Sequence, residues 1–112
     1  MKLRPRRVAD QIKRFLSQCL LTKCSDPRVS TVWITDVVLS ADLKNAKIYY
    51  NLIDKDLDVG KAQLGLNSVT SFLRRGLSKD LKLKFTPTIS WYYDESIDSS
   101  QRIDDLLDKL NN

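Results

Sequence analysis

Five cations, Arg74, Arg75, Lys79, Lys82 and Lys84, follow one another closely behind and within the stretch LNSVTSFLRR at 66–75 and its continuation. Guanidinium and ammonium groups at that density suit phosphate: Arg offers a planar fork that takes two oxygens, and Lys a point charge. Ser68, Val69, Thr70 and Ser71, just before the arginines, are second-rank helix formers in a segment whose apolar positions otherwise fit one long helix. A weak point in a helix followed by cations suggests a break and a restart. If the helix restarts near Thr70, its first-turn N–H groups and Arg74 or Arg75 would face the same region, a receptor for phosphate. Arg75, Lys79 and Lys82 are spaced four and three apart, which sets them on one helix face, and Lys84 extends the line.

The formal net charge of +5 is unevenly placed. Residues 1–14 hold six cations, including Arg4, Arg6 and Arg7, against Asp10, and residues 68–84 hold five against Asp80. Residues 94–112 carry six acids against Arg102 and Lys109, and the remainder is balanced. Two short stretches therefore supply the whole excess, which is the footprint of a polyanion-binding surface if folding brings them together. On charge alone, solvated surface lysines and arginines are an equally good reading. Arg28, beside the Asp26–Pro27 turn, and Lys44, between two strand-like runs, are further candidate contacts.

Catalysis finds little to work with. The chain has no histidine, no phosphate-binding glycine loop and no metal constellation, so acid–base chemistry would fall to scattered aspartates whose spacing suits turns and caps. The reading is a non-enzyme with no cofactor and no metal. Cys19 and Cys24 form neither a CxxC pair nor a four-ligand pattern, and Cys19 falls on an apolar helix face as a small hydrophobe. No apolar run approaches a membrane span, and the basic N-terminus runs into VADQIKRFLSQ and not into a signal-peptide core. A cytoplasmic, reduced chain without a membrane role is the expectation.

A chain of 112 residues is about one domain, expected to fold alone as a monomer. From Pro5, the residues Val8, Ile12, Phe15, Leu16, Cys19 and Leu20 recur at helical spacing. CSDPRVS breaks that pattern, because Pro27 disfavours the α conformation at Asp26. VWITDVVLS at 32–40 and KIYYNLI read as two strands of a hairpin joined by a polar connection. Ala62, Leu66, Val69, Leu73 and Leu77 give one helix, or two that share a buried face. TISWYYD alternates as a third strand, with Ile89, Trp91 and Tyr93 on one face and Ser90 and Tyr92 on the other. Trp91 and Tyr93 read as core, while Tyr92, with Tyr49 or Tyr50 on a neighbouring strand, is the aromatic candidate for exposure. Ile103, Leu106, Leu107 and Leu110 make a last amphipathic helix, with Ser99 or Ser100 as N-cap. The sum is an α+β layer, a three-stranded sheet covered on one face by helices.

The motifs RPRRVADQIKRFL, SDPRV, VVLSADLKNAKIYYNL, FLRRGLSKDLKLKFTPTISWYYDES and RIDDLLDKL together resemble the ribosome-binding factor A family across nearly the whole length. The resemblance implies a type II KH-like single domain, α-β-β-α-kink-α-β, over residues 1–95, with a C-terminal amphipathic helix at 96–112 packed on or beside it. It implies an interhelical kink in place of the glycine-rich loop that clamps nucleotides in ordinary KH modules. Where the family commonly has an Ala-x-Gly pattern, this chain has Val69-Thr70-Ser71, and a hydroxyl of Ser68, Thr70 or Ser71 would cap the next helix. The implied function is transient binding to the free 30S ribosomal subunit and its 16S rRNA. Family members assist late maturation, including 5′-end processing of 16S rRNA and growth at low temperature, and leave before translation with the help of a ribosome-dependent GTPase. With the charge and spacing read above, the candidate RNA contacts are Arg4, Arg6, Arg7, Arg28, Lys44, Ser68, Thr70, Ser71, Arg74, Arg75, Lys79, Lys82 and Lys84. A generic KH-like binder of single-stranded RNA, or a protein-interaction module, is the rival class, and it would show no preference for ribosomal particles.

Overall fold

In the computed structural model, which describes residues 3–98 with side chains from Arg6 onward, Val8, Ile12, Leu16, Cys19 and Leu20 form the buried stripe of helix α1 (Leu3–Thr22). Their spacing of three and four residues is the reason the helix has one apolar face. A 3₁₀ turn at Pro27–Val29 follows, capped by the Asp26 carboxylate, which accepts the Arg28 N–H. Strands β1 (Val32–Leu39) and β2 (Asn45–Leu52) pair antiparallel, helix α2 spans Val59–Leu81, and β3 (Thr88–Tyr93) returns parallel to β2. The strand order is β1-β2-β3. The fold is α+β, as expected.

Strand alternation sends Ile34, Val37, Ile48, Tyr50, Leu52, Ile89 and Trp91 to the face covered by the helices. Helix α1 packs against β1, and α2 packs against β3 and the 3₁₀ turn. Two glycines set the approach of α2 to the 3₁₀ turn and to α1. A Cβ at Gly65 would sit 2.8 Å from Arg28 Cβ and 2.9 Å from Val29 Cγ1, and one at Gly76 would sit 2.9 Å from Phe15 Cζ.

The expected break at Val69-Thr70-Ser71 is not there. Helix α2 is continuous from Val59 to Leu81, and the hydroxyls that were to cap a second helix bond backward instead. Ser68 Oγ donates to the Gly65 carbonyl at 2.8 Å and Thr70 Oγ1 to the Leu66 carbonyl at 2.7 Å. Such back-bonding satisfies the hydroxyls inside a helix. Leu66, Leu73 and Leu77, all fully buried on either side of the weak residues, hold both halves to one core, and that burial outweighs a propensity deficit of about a few tenths of a kcal/mol per residue.

The expected helix over 96–112 lies outside the described residues from 99 onward, Ser99 and Ser100 included. A helical turn occupies 95–98, with Asp94 accepting the Ser96 N–H at 3.1 Å.

Candidate nucleic-acid interface

Helix α2 buries Leu66, Leu73 and Leu77, so positions 71, 75, 78 and 79 turn away from the core. Ser71, Arg74, Arg75, Ser78 and Lys79, with Thr86 ahead of β3, line an open groove of about 520 Å³. Ser71, Arg75 and Lys79 are exposed in it. Arg74 is half-buried and faces the wall: its Nε donates to the Pro87 carbonyl at 3.1 Å and one Nη to the Thr86 carbonyl at 3.2 Å. It fastens the chain entering β3 to α2, and so positions Thr86 opposite Arg75 and Lys79.

The proposed phosphate receptor at a helix N-terminus near Thr70 falls with the break, since α2 starts at Val59. At that true start the Asp58 carboxylate accepts the Gly60 N–H at 2.7 Å, which places an acid where an anion would have to bind. The Thr70 hydroxyl is engaged on both sides, donating to Leu66 and accepting the Trp91 indole N–H at 2.9 Å. Ser68 donates to Gly65 and accepts from an Nη of Arg28 at 3.3 Å. Both hydroxyls are tied to the protein itself, and neither lines the groove.

Lys82 does not share the helix face of Arg75 and Lys79. It is the C-cap, in the left-handed region at φ 49° and ψ 40°, one residue after α2 ends. Lys84 places its ammonium 5.6 Å from the centre of the exposed Phe85 ring. Arg28 forks onto Asp26, with Nε 3.1 Å from both carboxylate oxygens and Nη2 2.6 Å from one. Those bonds hold the Asp26 carboxyl below its usual range. Lys44 is exposed in the β1–β2 connection, where Asp42 accepts its backbone N–H at 3.0 Å.

Among the described residues, the two cationic stretches line different hollows. Arg6 lines a separate hollow with Ala9, Asp10 and Asp36–Leu39, on the β1 side of α1. Arg7 is exposed near it on the same helix, and Arg4 lies in the first turn of α1 with its side chain outside the described atoms. Lys13 donates to the Thr35 carbonyl at 3.2 Å and ties α1 to β1.

A polar cluster that sequence reasoning missed closes the far end of the sheet. Asn51, fully buried, donates to the Asp94 carbonyl at 2.9 Å and to Asp98 Oδ1 at 3.3 Å, and accepts from Lys55. Asp98 also accepts from the Tyr93 hydroxyl at 2.5 Å and from Lys55 at 2.9 Å. The Tyr93 and Lys55 bonds hold the Asp98 carboxyl down at about 2, while burial and that carboxylate push the Tyr93 phenol up to about 12. Its signal in the sequence is Asn51, a polar residue directly behind Tyr49 and Tyr50 near the end of β2. Among the described residues, no group of three His, Cys, Asp or Glu side chains is placed to hold a metal, and no helix is long and apolar enough to cross a membrane. The groove lining is hydroxyl and cation, which suits holding phosphate oxygens by charge and shape.

The chain matches the profile of the family described as Ribosome-binding factor A over residues 4–107. It is 39% identical over 110 residues to the Ribosome-binding factor A of Geobacter metallireducens, covering 98% of this chain and 93% of that one. Its fold is similar to the crystal structure of ribosome-binding factor A from Thermus thermophilus, with a TM-score of 0.71 at 19% identity, over 80% of this chain and 93% of that one. It is also similar to a homology model of the Thermus thermophilus factor fitted into an electron cryo-microscopy map of its complex with the 30S subunit, with a TM-score of 0.64 at 20% identity, over 78% and 91% of the two chains.

Proposed function

Because the chain belongs to the ribosome-binding factor A family, we propose that it binds the free 30S ribosomal subunit through 16S rRNA, with the α2 groove as its main backbone contact. In this reading it assists late maturation of the subunit in the cytoplasm, including processing of the 16S rRNA 5′ end, and leaves before translation in step with a ribosome-assembly GTPase. It acts by binding and not by catalysis.

The observation that carries the reading is the groove itself: Arg75 and Lys79 stand exposed on one face of α2, one helical turn apart, with Ser71, Ser78 and Thr86 around them. Cations fixed on a rigid helix position a protein on folded RNA without reading its sequence. The 30S complex of the similar Thermus thermophilus factor supports the choice of particle.

Sedimentation of the protein with separated small subunits, large subunits and assembled ribosomes across a salt series tests the proposal. Selective co-migration with free small subunits, weakened by salt and lost in the Arg75→Glu/Lys79→Glu variant, is the expected result. Equal binding to all three particles would reduce the protein to a non-specific basic domain, and binding only to short single strands would favour a generic KH-like module.

A further inference from the structure

The sheet face turned away from the helices carries aromatic rings that the core does not use. Alternation sends Lys47 and Tyr49 outward from β2 and Ser90 and Tyr92 outward from β3, and the register sets Lys47 beside Ser90 and Tyr49 beside Tyr92. The two rings lie 5.7 Å apart between centroids with their planes 31° apart, and the Lys47 ammonium is 5.9 Å from the centre of the Tyr92 ring. Tyr92 is 45% exposed, whereas Trp91 beside it is 6% exposed.

We propose that this face is a second RNA contact, in which Tyr49 and Tyr92 stack on unpaired bases while Lys47 holds the adjoining phosphate. The inference rests on the reading above that the ligand is RNA. Three features select this occupant. The pair joins a ring surface to a cation, the combination that takes single-stranded nucleic acid, and a duplex would keep its base faces hidden from it. The platform is also joined to the groove along the chain: Arg74 bonds the Thr86 carbonyl, Thr86 lines the groove, and two residues later the Thr88 N–H donates to the Lys44 carbonyl at 2.8 Å. An RNA strand held at Arg75 and Lys79 can therefore pass round the head of β3 along Lys44 and Lys47. Finally, Asp36 stands opposite Tyr49 on β1, so phosphates are kept to the lysine side and bases turn to the rings.

The test uses the full chain and an end-labelled single-stranded RNA of about twelve nucleotides without self-pairing, read by fluorescence anisotropy at several salt concentrations. Tyr49→Leu/Tyr92→Leu should weaken binding about tenfold and leave the salt slope unchanged, Tyr92→Phe should bind as the parent does, and Lys47→Gln should lower the slope by about one counterion. Tyr92→Leu alone, at an exposed edge-strand position, replaces the double variant if that one does not fold. Unchanged affinity in the leucine variants, an equal loss on an RNA duplex, or no binding of the oligonucleotide by the parent would each overturn the proposal. So would nuclear Overhauser contacts from Tyr92 to Leu106 or Leu110 that persist with RNA, since they would assign the face to residues 99–112. Loss of subunit co-sedimentation in Arg75→Glu/Lys79→Glu is scored separately, so a failure of the platform and a failure of the groove are told apart.

Discussion

The indole N–H of Trp91 donates to the Thr70 hydroxyl at 2.9 Å, joining β3 to the middle of α2 at the weak stretch of that helix. The hydroxyl in turn donates to the Leu66 carbonyl. Thr70→Val keeps the shape but leaves a buried N–H without a partner, and should cost about 1–3 kcal/mol in urea unfolding. Small-subunit binding by the folded variant should be close to that of the parent. A large loss of binding with full stability would show that Thr70 contacts RNA directly.

Adjacent arginines should separate. Arg74→Ala removes the bonds to the Thr86 and Pro87 carbonyls and should lower stability by about 1–2 kcal/mol. Arg75→Ala, at an exposed position, should be within about 0.5 kcal/mol of the parent in stability while weakening subunit binding. Denaturation midpoints beside sedimentation at fixed salt measure both.

The two packed glycines of α2 should respond oppositely to alanine. Alanine favours a helix interior by about 1 kcal/mol. At Gly65 the new methyl meets Arg28 Cβ and the buried Val29, which cannot move without shifting the 3₁₀ turn, so Gly65→Ala should be net destabilising by about 1–2 kcal/mol. At Gly76 it meets only the tip of the half-buried Phe15 ring, which can rotate away, and Gly76→Ala should be neutral or stabilising in thermal unfolding.

Asp98 and Tyr93 predict two pH limits. Asp98 is held at about 2, below its unfolded value of about 3.9, so its contribution is present above pH ~4 and is lost as pH falls toward 2. Tyr93 is raised to about 12 from about 10, so its contribution is present below pH ~10 and is lost as pH rises through 12. Asp98→Asn should flatten the acid limb of the stability profile. In alkaline titration followed by tyrosinate absorbance, Tyr93→Phe should remove the step near 12.

The element order, the buried faces and the sheet were legible because they rest on period. Spacings of three and four in α1 and α2, and of two in the strands, oblige each element to bury one side, and Val8, Ile12, Leu66, Leu73, Ile89 and Trp91 are all in the core. The motifs also carried the family. The break in α2 that propensity suggests and the resemblance implies does not form, because neither source carries the core contacts of Leu66, Leu73 and Leu77 that flank Ser68, Val69, Thr70 and Ser71. Lys82 was misplaced for a related reason: a spacing of three continues a helix face only if the helix goes on, and α2 ends one residue earlier.

What the sequence determined by itself was which residues are apolar, which are cationic and at what period, and hence which side of each element faces inward. Only the tertiary structure decided which cations are taken up by oxygens of the protein itself. Arg74 is drawn to two carbonyls because β3 must enter beside α2, Arg28 is forked onto Asp26 by the 3₁₀ turn, and Arg75 and Lys79 are left exposed. The physical reason is that a guanidinium's partners lie far along the chain or across a turn, and local spacing carries no information about groups that only folding brings within hydrogen-bond reach.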